Sequence, residues 1–440
     1  MNDIITVLLA DNDVKQVKEA VESIWKYYQT MKITILYHQS SCGVKEWCDE
    51  RNIPNVCYEE AKDFSYVLKM VIKDTHLKDI FIMSSEIRCL PSCMERLQKV
   101  LDEQKDIGAV IPKFVTSDII AGRKYFKDLS EYAQKQRNGK KRQILDIGYR
   151  AVLISHRLLQ GIELEEKLIL PIDILIDIVI QGVNSGYHFY EVENALVEES
   201  VKEKLLCENK NAENTDFHFL SEKWNMKYML KKPNTLLIGL IQCEKESFSV
   251  LEVGCTIGTN LLEIGNLYPK AQLYGVEINP SAAKMASAFA DVREGNIEDK
   301  NLNFKDVLFD YIIFGDVLEH LHDPKGVLEY CKSILAEGGK IIASIPNLMH
   351  WSVMKPLING FFTYGDFGLL DRTHIHFFTY YEMVQMFTEA GYHVTNVKVT
   401  DGEGASDEIK EFVNQLMDIS ENAAEFMFWT YQYYVVAEKV

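Results

Sequence analysis

The 440-residue sequence lacks the usual marks of an exported, membrane-spanning or zinc-bound protein. Its nine cysteines include no Cys-x-x-Cys pair and no histidines at matching spacing, so we expect reduced thiols and no bound metal. The amino terminus has no basic segment followed by a long apolar run, so no signal peptide is expected. The most apolar stretch, Leu168 to Ile180, contains Asp173 and Asp177, which argues against an integral membrane segment.

Basic residues are scarce relative to acidic ones. The 47 Lys and Arg residues face 65 Asp and Glu residues, and the formal net charge is −18. Such a surface repels phosphate backbones, so nucleic acid is not an expected partner. The length predicts two or three domains, and the 47% hydrophobic content is enough for two sizeable cores.

Strand-like and helix-like segments alternate through the first half of the chain. Ile4 to Ala10 is a continuous apolar run, as in a buried parallel strand, and Val14 to Tyr28 has apolar residues at helical spacing. Ile33 to Tyr37, Asp79 to Met83 and Gly108 to Pro112 are further predicted strands. This alternation predicts an α/β sheet covered by helices.

A second α/β series begins at Ser249. It predicts an α/β protein with two domains, residues 1–205 and 246–440, joined by a partly helical connecting segment, 206–245. The predicted strands of the second domain are Val250 to Val253, Gln272 to Val276, Tyr311 to Phe314, Lys340 to Ser344 and Trp429 to Ala437.

Four motifs of the second domain fall where its strands end. Val250 to Gly258 is a strand followed by a glycine turn and a helix start, which lets a ligand approach the backbone closely. Tyr274 to Glu277 ends the next strand in a carboxylate that can accept hydrogen bonds from ribose hydroxyls. Gly295 to Glu298 and Phe314 to Leu321 follow later strands at the same predicted edge. A dehydrogenase is the weaker alternative, because the third glycine of Gly-x-Gly-x-x-Gly is absent.

This series resembles the class I S-adenosylmethionine-dependent methyltransferases from Ser247 to the carboxyl terminus. The motif Asp316 to Leu321 (DVLEHL), then Ile334 to Gly339, then Ile345-Pro346-Asn347 match that family in order and spacing. The resemblance implies a Rossmann-like sheet with a reversed final strand and S-adenosylmethionine as the cofactor. Thr256 departs from the family, which usually has glycine there. The implied cofactor residues are Glu252, Gly254 and Gly258 for the methionine part, Glu277 for the ribose, Asn296 and Ile297 for the adenine, and Asp316 near the methionine end.

The segment from Asn347 to Thr379 is the predicted acceptor wall. Part of it resembles a stretch of bacterial methyltransferases encoded with polysaccharide genes, which implies a sugar or glycan acceptor. Histidine is the usual general base near neutral pH. The alternative is that single histidines cap helices or bind buried backbone, and Glu319 and His320 are interpreted as fixing the loop over the cofactor. The candidate catalytic residues are His350, Asp371, Arg372, His374 and His376.

The first half more weakly resembles family-two glycosyltransferases of the GT-A fold. Active members carry Asp-x-Asp after the strand that matches Asp79 to Met83, whereas this chain continues Ser84-Ser85-Glu86. One carboxylate is a poor metal site for a diphosphate, so the domain is predicted to be degenerate. Asp173 and Asp177 lie near the family's catalytic base, or they mark one polar face of a helix.

Together these patterns predict a methyltransferase that modifies a hydroxyl or amino group of a sugar or glycan intermediate. A bifunctional glycosyltransferase/methyltransferase and a non-catalytic scaffold of a glycan pathway are the open alternatives. Other enzymes of such a pathway are candidate partners, and a homo-oligomer is left open. The expected location is the cytoplasm, where the cofactor pool is found.

Overall fold

A computed structural model shows two compact units, residues 1–231 and 232–440. The boundary falls inside the predicted connecting segment, 206–245. The structure describes the whole chain except residues 1–3, 11–12, 42, 60–65, 72–77, 121–126, 138, 166, 169, 200–214, 227–231, 303, 305–306 and 402–404.

The described residues of the first unit form a mixed sheet of nine strands. Its strands are β1 (Ile4–Ala10), β2 (Lys32–His38), β3 (Asn55–Tyr58), β4 (Asp79–Ser84), β5 (Ile87–Cys89), β6 (Ile107–Val115), β7 (Lys141–Gln143), β8 (Ala151–Ile154) and β9 (His188–Glu199). Its helices are α1 (Val14–Tyr27), α2 (Val44–Glu50), α3 (Cys93–Leu101), α4 (Leu129–Lys135), α5 (His156–Gly161), α6 (Pro171–Asn184) and α7 (Thr215–Trp224), and 66–71 is also helical.

The strands lie in the order β3-β2-β1-β4-β8-β6-β9-β5, with β7 paired to β9. Strands β1 to β4 run parallel, whereas β8 is antiparallel to both β4 and β6. The predicted strands and the amphipathic helix α1 of this unit are confirmed. The Asp13 carboxylate caps α1 by accepting a hydrogen bond from the Lys15 amide at 2.8 Å, and one face of the helix is buried in the core.

Helix α6 contains the apolar stretch in which Asp173 and Asp177 stand. The two carboxylates do share this helix, but their face is buried rather than turned to solvent, and Asp177 is only 1% exposed. Its carboxylate accepts hydrogen bonds from the Lys223 ammonium at 3.0 Å and from the Trp224 indole at 2.8 Å. Burial is tolerated because the charge is paired and hydrogen-bonded. Within the described ranges, no helix is long and apolar enough to cross a membrane.

The second unit has a seven-stranded sheet. Its strands are β10 (Ser249–Val253), β11 (Gln272–Glu277), β12 (Asp291–Glu294), β13 (Phe309–Gly315), β14 (Leu335–Pro346), β15 (Tyr392–Asp401) and β16 (Thr430–Lys439). Its helices are α8 (Thr235–Ile238), α9 (Thr259–Leu267), α10 (Pro280–Ala286), α11 (Pro324–Ile334), α12 (Trp351–Ile358), α13 (Tyr380–Glu389), α14 (Asp407–Ile419) and α15 (Phe426–Trp429).

The strand order in this unit is β12-β11-β10-β13-β14-β16-β15. Strands β10 to β14 run parallel, and β16 is antiparallel to both of its neighbours, β14 and β15. The predicted Rossmann-like sheet with a reversed final strand is therefore confirmed. Its parallel strands direct their carboxyl ends to one edge, where ligands bind in open α/β sheets.

Candidate active site

The predicted cofactor residues meet at the carboxyl edge of three adjacent strands. In the sheet, Val253 of β10 pairs with Val276 of β11 on one side and with Phe314 of β13 on the other. The residues that follow these strand positions, beginning with Gly254, Glu277 and Gly315, are therefore neighbours at one edge.

The loop after β10 keeps a tight left-handed path. Gly254, Thr256 and Gly258 have φ angles of +68°, +50° and +80°. A Cβ atom on Gly254 would lie 2.7 Å from the Val317 side chain, so this glycine is needed for space as well as for conformation. Thr256 adopts the same left-handed region as the two glycines beside it, at a cost of about 1–2 kcal/mol for a residue with a Cβ atom.

Glu277 holds this loop in place. Its buried carboxylate accepts hydrogen bonds from the Thr256 and Asn279 amides, both at 2.8 Å. A carboxylate has about four lone-pair positions, so both oxygens can still accept bonds from ribose hydroxyls. The next residue, Ile278, is 67% exposed and offers an apolar surface to an adenine ring. No motif in the sequence marks Ile278 as a cofactor residue.

Asn296 and Ile297 lie in the turn after β12, beside the Glu277 backbone. The Gly295 amide donates to the Glu277 carbonyl at 2.9 Å, and the Asn296 side chain accepts a hydrogen bond from the Glu298 amide at 3.0 Å. The Ile297 side chain is buried in the core of the unit, so Asn296 is the more accessible of the pair.

Glu252 lies in β10, below the loop, and is buried. One of its carboxylate oxygens accepts a hydrogen bond from the side-chain amide of Asn260 at 2.6 Å, and the side-chain oxygen of Asn260 accepts one from the backbone amide of Asn234 at 2.7 Å. Asn260 therefore ties helix α9 to β10 and to the chain before α8. Sequence reasoning missed it, although it follows Gly258 by two positions.

Asp316 leaves β13 with φ at +58°, an uncommon conformation for a residue other than glycine. Its carboxylate accepts hydrogen bonds from the Ser344 hydroxyl at 2.9 Å and from the Gln432 side chain. Ser344 and Gln432 come from β14 and β16, so three strands fix this carboxylate at the edge. The motif predicted Asp316 but gave no sign of the two residues that hold it.

The candidate catalytic residues do not form one cluster. His374 is half-buried and its ring contacts that of His320, with centroids 4.8 Å apart. Burial, together with His320, lowers the pKa of His374. His376 lies two residues on and hydrogen-bonds the His322 carbonyl at 3.3 Å.

The remaining three candidates have structural contacts of their own. His350 caps helix α12 through the Ser352 amide, and burial lowers its pKa to about 4. Asp371 is buried and accepts from the Thr373 amide at 2.8 Å and from its hydroxyl at 2.6 Å. Arg372 is exposed and pairs with Asp366 at 2.8 Å.

Residues 218–397 match the family model described as a methyltransferase domain. The chain carries a methyltransferase domain. The match runs from α7 through most of the second unit, and it confirms the prediction of S-adenosylmethionine as cofactor.

The relatives of the methyltransferase domain cover only part of the chain. An uncharacterized protein of Rickettsia prowazekii is 27% identical over 131 residues, which are 28% of this chain and 52% of that protein. A ubiquinone biosynthesis O-methyltransferase of Idiomarina loihiensis is 29% identical over 127 residues, 27% of this chain and 51% of that protein. The chain thus spans about half the length of these relatives. The crystal structure of a SAM-dependent methyltransferase from Archaeoglobus fulgidus is 19% identical, covers 51% of this chain and 99% of its own, and superposes with a TM-score of 0.34.

Proposed function

We propose that the second unit transfers a methyl group from S-adenosylmethionine to a hydroxyl or amino group of a sugar or glycan intermediate. The observation that carries the proposal is the edge where Glu277 holds the left-handed turn of Gly254, Thr256 and Gly258. Thr256 is no obstacle to it, because this residue has the backbone conformation that the turn requires.

The cofactor, when bound, supplies a methyl group that is already activated by a sulfonium centre. The chain has to bind it, orient it and align an acceptor. Glu277 would hold the ribose, Asn296 the adenine, and Asp316 the methionine end. The hydrogen bonds to the Asp316 carboxylate fix its position, so little reorganisation is needed when a charged amino acid moiety binds.

On the acceptor side, His374 and His350 differ in what they can do. Both have lowered pKa values, so both imidazoles are neutral at pH 7. A base with a pKa of about 4 is too weak to take a proton from a hydroxyl efficiently, and His350 is engaged as a helix cap. His374 is half-buried, and its ring contacts that of His320 in the turn that follows Asp316. Among the candidate residues, we therefore place His374 closest to the chemistry, with Asp371, Arg372 and His376 shaping the acceptor wall.

A methyl-transfer assay tests the acceptor class. The purified chain is incubated with methyl-labelled S-adenosylmethionine and a panel of nucleotide sugars, glycan oligosaccharides and phenols. We expect label in a sugar or glycan. Label that appears only in a phenol would overturn the carbohydrate proposal while leaving the methyltransferase intact. No transfer together with no cofactor binding would favour the scaffold alternative.

For the first unit we propose a degenerate glycosyltransferase-like domain that binds a glycan or a partner enzyme of the same pathway. Ser84 and Ser85 stand where a metal-binding carboxylate cluster is required, and both are buried. The single carboxylate, Glu86, lies 3.9 Å from Arg150, which also pairs with Glu199 at 2.6 Å. An arginine beside the carboxylate supports the proposal, because it disfavours a second cation there.

The chain is expected to release no nucleoside diphosphate from sugar nucleotides, with or without Mn²⁺. A coupled assay over uridine, guanosine and thymidine diphosphate sugars measures this, with an active metal-dependent glycosyltransferase as the positive control. Release that Mn²⁺ stimulates would instead establish the bifunctional enzyme.

A further inference from the structure

Three side chains with metal-binding atoms meet next to the proposed cofactor edge. One ligand atom each from Glu319, His320 and His374 lies within 4.8 Å of the others. The first two belong to the helical turn after β13, and the third comes from the loop before α13. The Glu319 carbonyl accepts hydrogen bonds from the Ile375 and His376 amides at 2.8 and 3.0 Å, so backbone contacts hold the two segments together.

Hydrogen bonds fix the protonation of both imidazoles. The Nδ1 atom of His320 lies 3.0 Å from the Thr373 carbonyl, and that of His374 lies 3.2 Å from the Leu369 carbonyl. A carbonyl oxygen only accepts, so each Nδ1 carries the proton and each neutral ring keeps its lone pair on Nε2. Metal-binding histidines are typically oriented in this way, with the second nitrogen donating to a backbone carbonyl.

Asp371 helps to hold the His320 ring in this orientation. Its carboxylate accepts from both the amide and the hydroxyl of Thr373, whose carbonyl in turn accepts from His320. Through this chain of contacts the buried Asp371 carboxylate positions the His320 ring. Outer contacts of this kind commonly change metal affinity 10- to 100-fold.

We propose that Glu319, His320 and His374 bind a divalent transition metal ion such as Zn²⁺, Mn²⁺ or Fe²⁺. Two neutral imidazoles and one carboxylate are a frequent ligand set for these ions. With metal–ligand bonds of about 2.0–2.2 Å, tetrahedral ligand atoms lie about 3.4 Å apart, so side-chain rotations that bring the atoms at most about 1.4 Å closer complete the site.

A metal ion bound by these three residues would also favour one class of methyl acceptor. This part of the inference rests on the proposed function. Three protein ligands leave coordination positions open. Sugar hydroxyl oxygens can fill them, and two neighbouring hydroxyls can fill two at once. A bound metal lowers the pKa of such a hydroxyl, so a strong protein base is not required. Such a metal would explain how a hydroxyl acceptor loses its proton although His350, in the acceptor wall, is too weak a base to remove it.

Zn²⁺ titration calorimetry of the full-length protein, dialysed against a chelator that is then removed, tests the site. We expect one equivalent to bind the wild type, and we expect His374→Ala and His320→Ala each to weaken binding at least about 100-fold. The matched controls are His322→Ala and His393→Ala, two exposed histidines of the same unit that lie outside the cluster, and these should bind Zn²⁺ as the wild type does.

S-adenosylhomocysteine is titrated into the same metal-free samples. If His374→Ala still binds S-adenosylhomocysteine, the variant is folded. Its loss of Zn²⁺ binding is then attributable to the missing imidazole. The proposal is overturned if the wild type binds neither Zn²⁺ nor Mn²⁺, or if both cluster variants bind Zn²⁺ like the wild type. Failure of the wild type to bind S-adenosylhomocysteine would count against the proposed function alone, because the metal titration is independent of it.

Discussion

Replacing Glu277 by alanine should lower the affinity for S-adenosylhomocysteine at least about 100-fold. The substitution removes the proposed ribose acceptor and frees the Thr256 and Asn279 amides, which the carboxylate holds at 2.8 Å. Hydrogen bonds to a charged group contribute about 1.5–3 kcal/mol each, and 1.4 kcal/mol is a factor of ten in affinity. Titration calorimetry of the purified variant measures the effect.

Two further variants separate the ribose contact from general damage to the edge. Glu294→Ala removes an exposed carboxylate on β12 that pairs in register with Glu277, and it should bind like the wild type. Glu277→Gln keeps one acceptor oxygen and should bind with an intermediate affinity. Wild-type affinity in Glu277→Ala would show that the cofactor site does not use this strand end.

Replacing Asp177 by alanine should destabilise the first unit by about 3 kcal/mol. The carboxylate is buried and binds the Lys223 ammonium, the Trp224 indole and the Gln181 side chain. Breaking a buried ion pair typically costs about 3–5 kcal/mol, and we expect the lower end of this range because Lys223 still pairs with Glu165 at 3.6 Å. Urea denaturation followed by hydrogen exchange in peptides of α6 and α7 reports the stability of this unit separately from the other.

Glu222→Ala is the matched control for this prediction. It removes a carboxylate from α7, the helix that carries Lys223 and Trp224, but the Glu222 side chain is 71% exposed and lies 3.8 Å from His218. Its urea midpoint should stay within error of the wild type, since exposed pairs contribute little. Equal midpoints for Asp177→Ala and the wild type would mean that the buried contacts do not stabilise the unit.

The strands that could be predicted from the sequence are those in which burial gives a simple pattern of apolar residues. β1, β4 and β13 are nearly continuous apolar runs because both faces of a parallel strand are covered. β9 was missed, since its four glutamates and its apolar residues follow no regular alternation. β5 and β7 have only three residues each and depend on pairing with β9, a contact that no local pattern records.

The edge of the sheet where the cofactor residues lie was also predictable from the sequence. Parallel strands end on the same side, so motifs at successive strand ends identify neighbours such as Gly254 and Glu277 without knowledge of the structure. Residues that approach from elsewhere in the chain leave no such signal. Gln432 reaches Asp316 from a strand inserted in reverse, and His374 reaches His320 from a distant loop, so neither contact was predicted.

The position of β16 has a consequence for the order in which the protein is assembled on the ribosome. Among the described residues, β15 pairs only with β16, yet β15 is synthesised first. Until β16 emerges, β15 has no strand to join and both β14 and β15 expose unpaired edges. Gln432 of β16 also supplies a contact to Asp316, which was made 116 residues earlier. A nascent chain can therefore form the glycine turn early, but it completes the methionine end of the site only after β16 has entered the sheet.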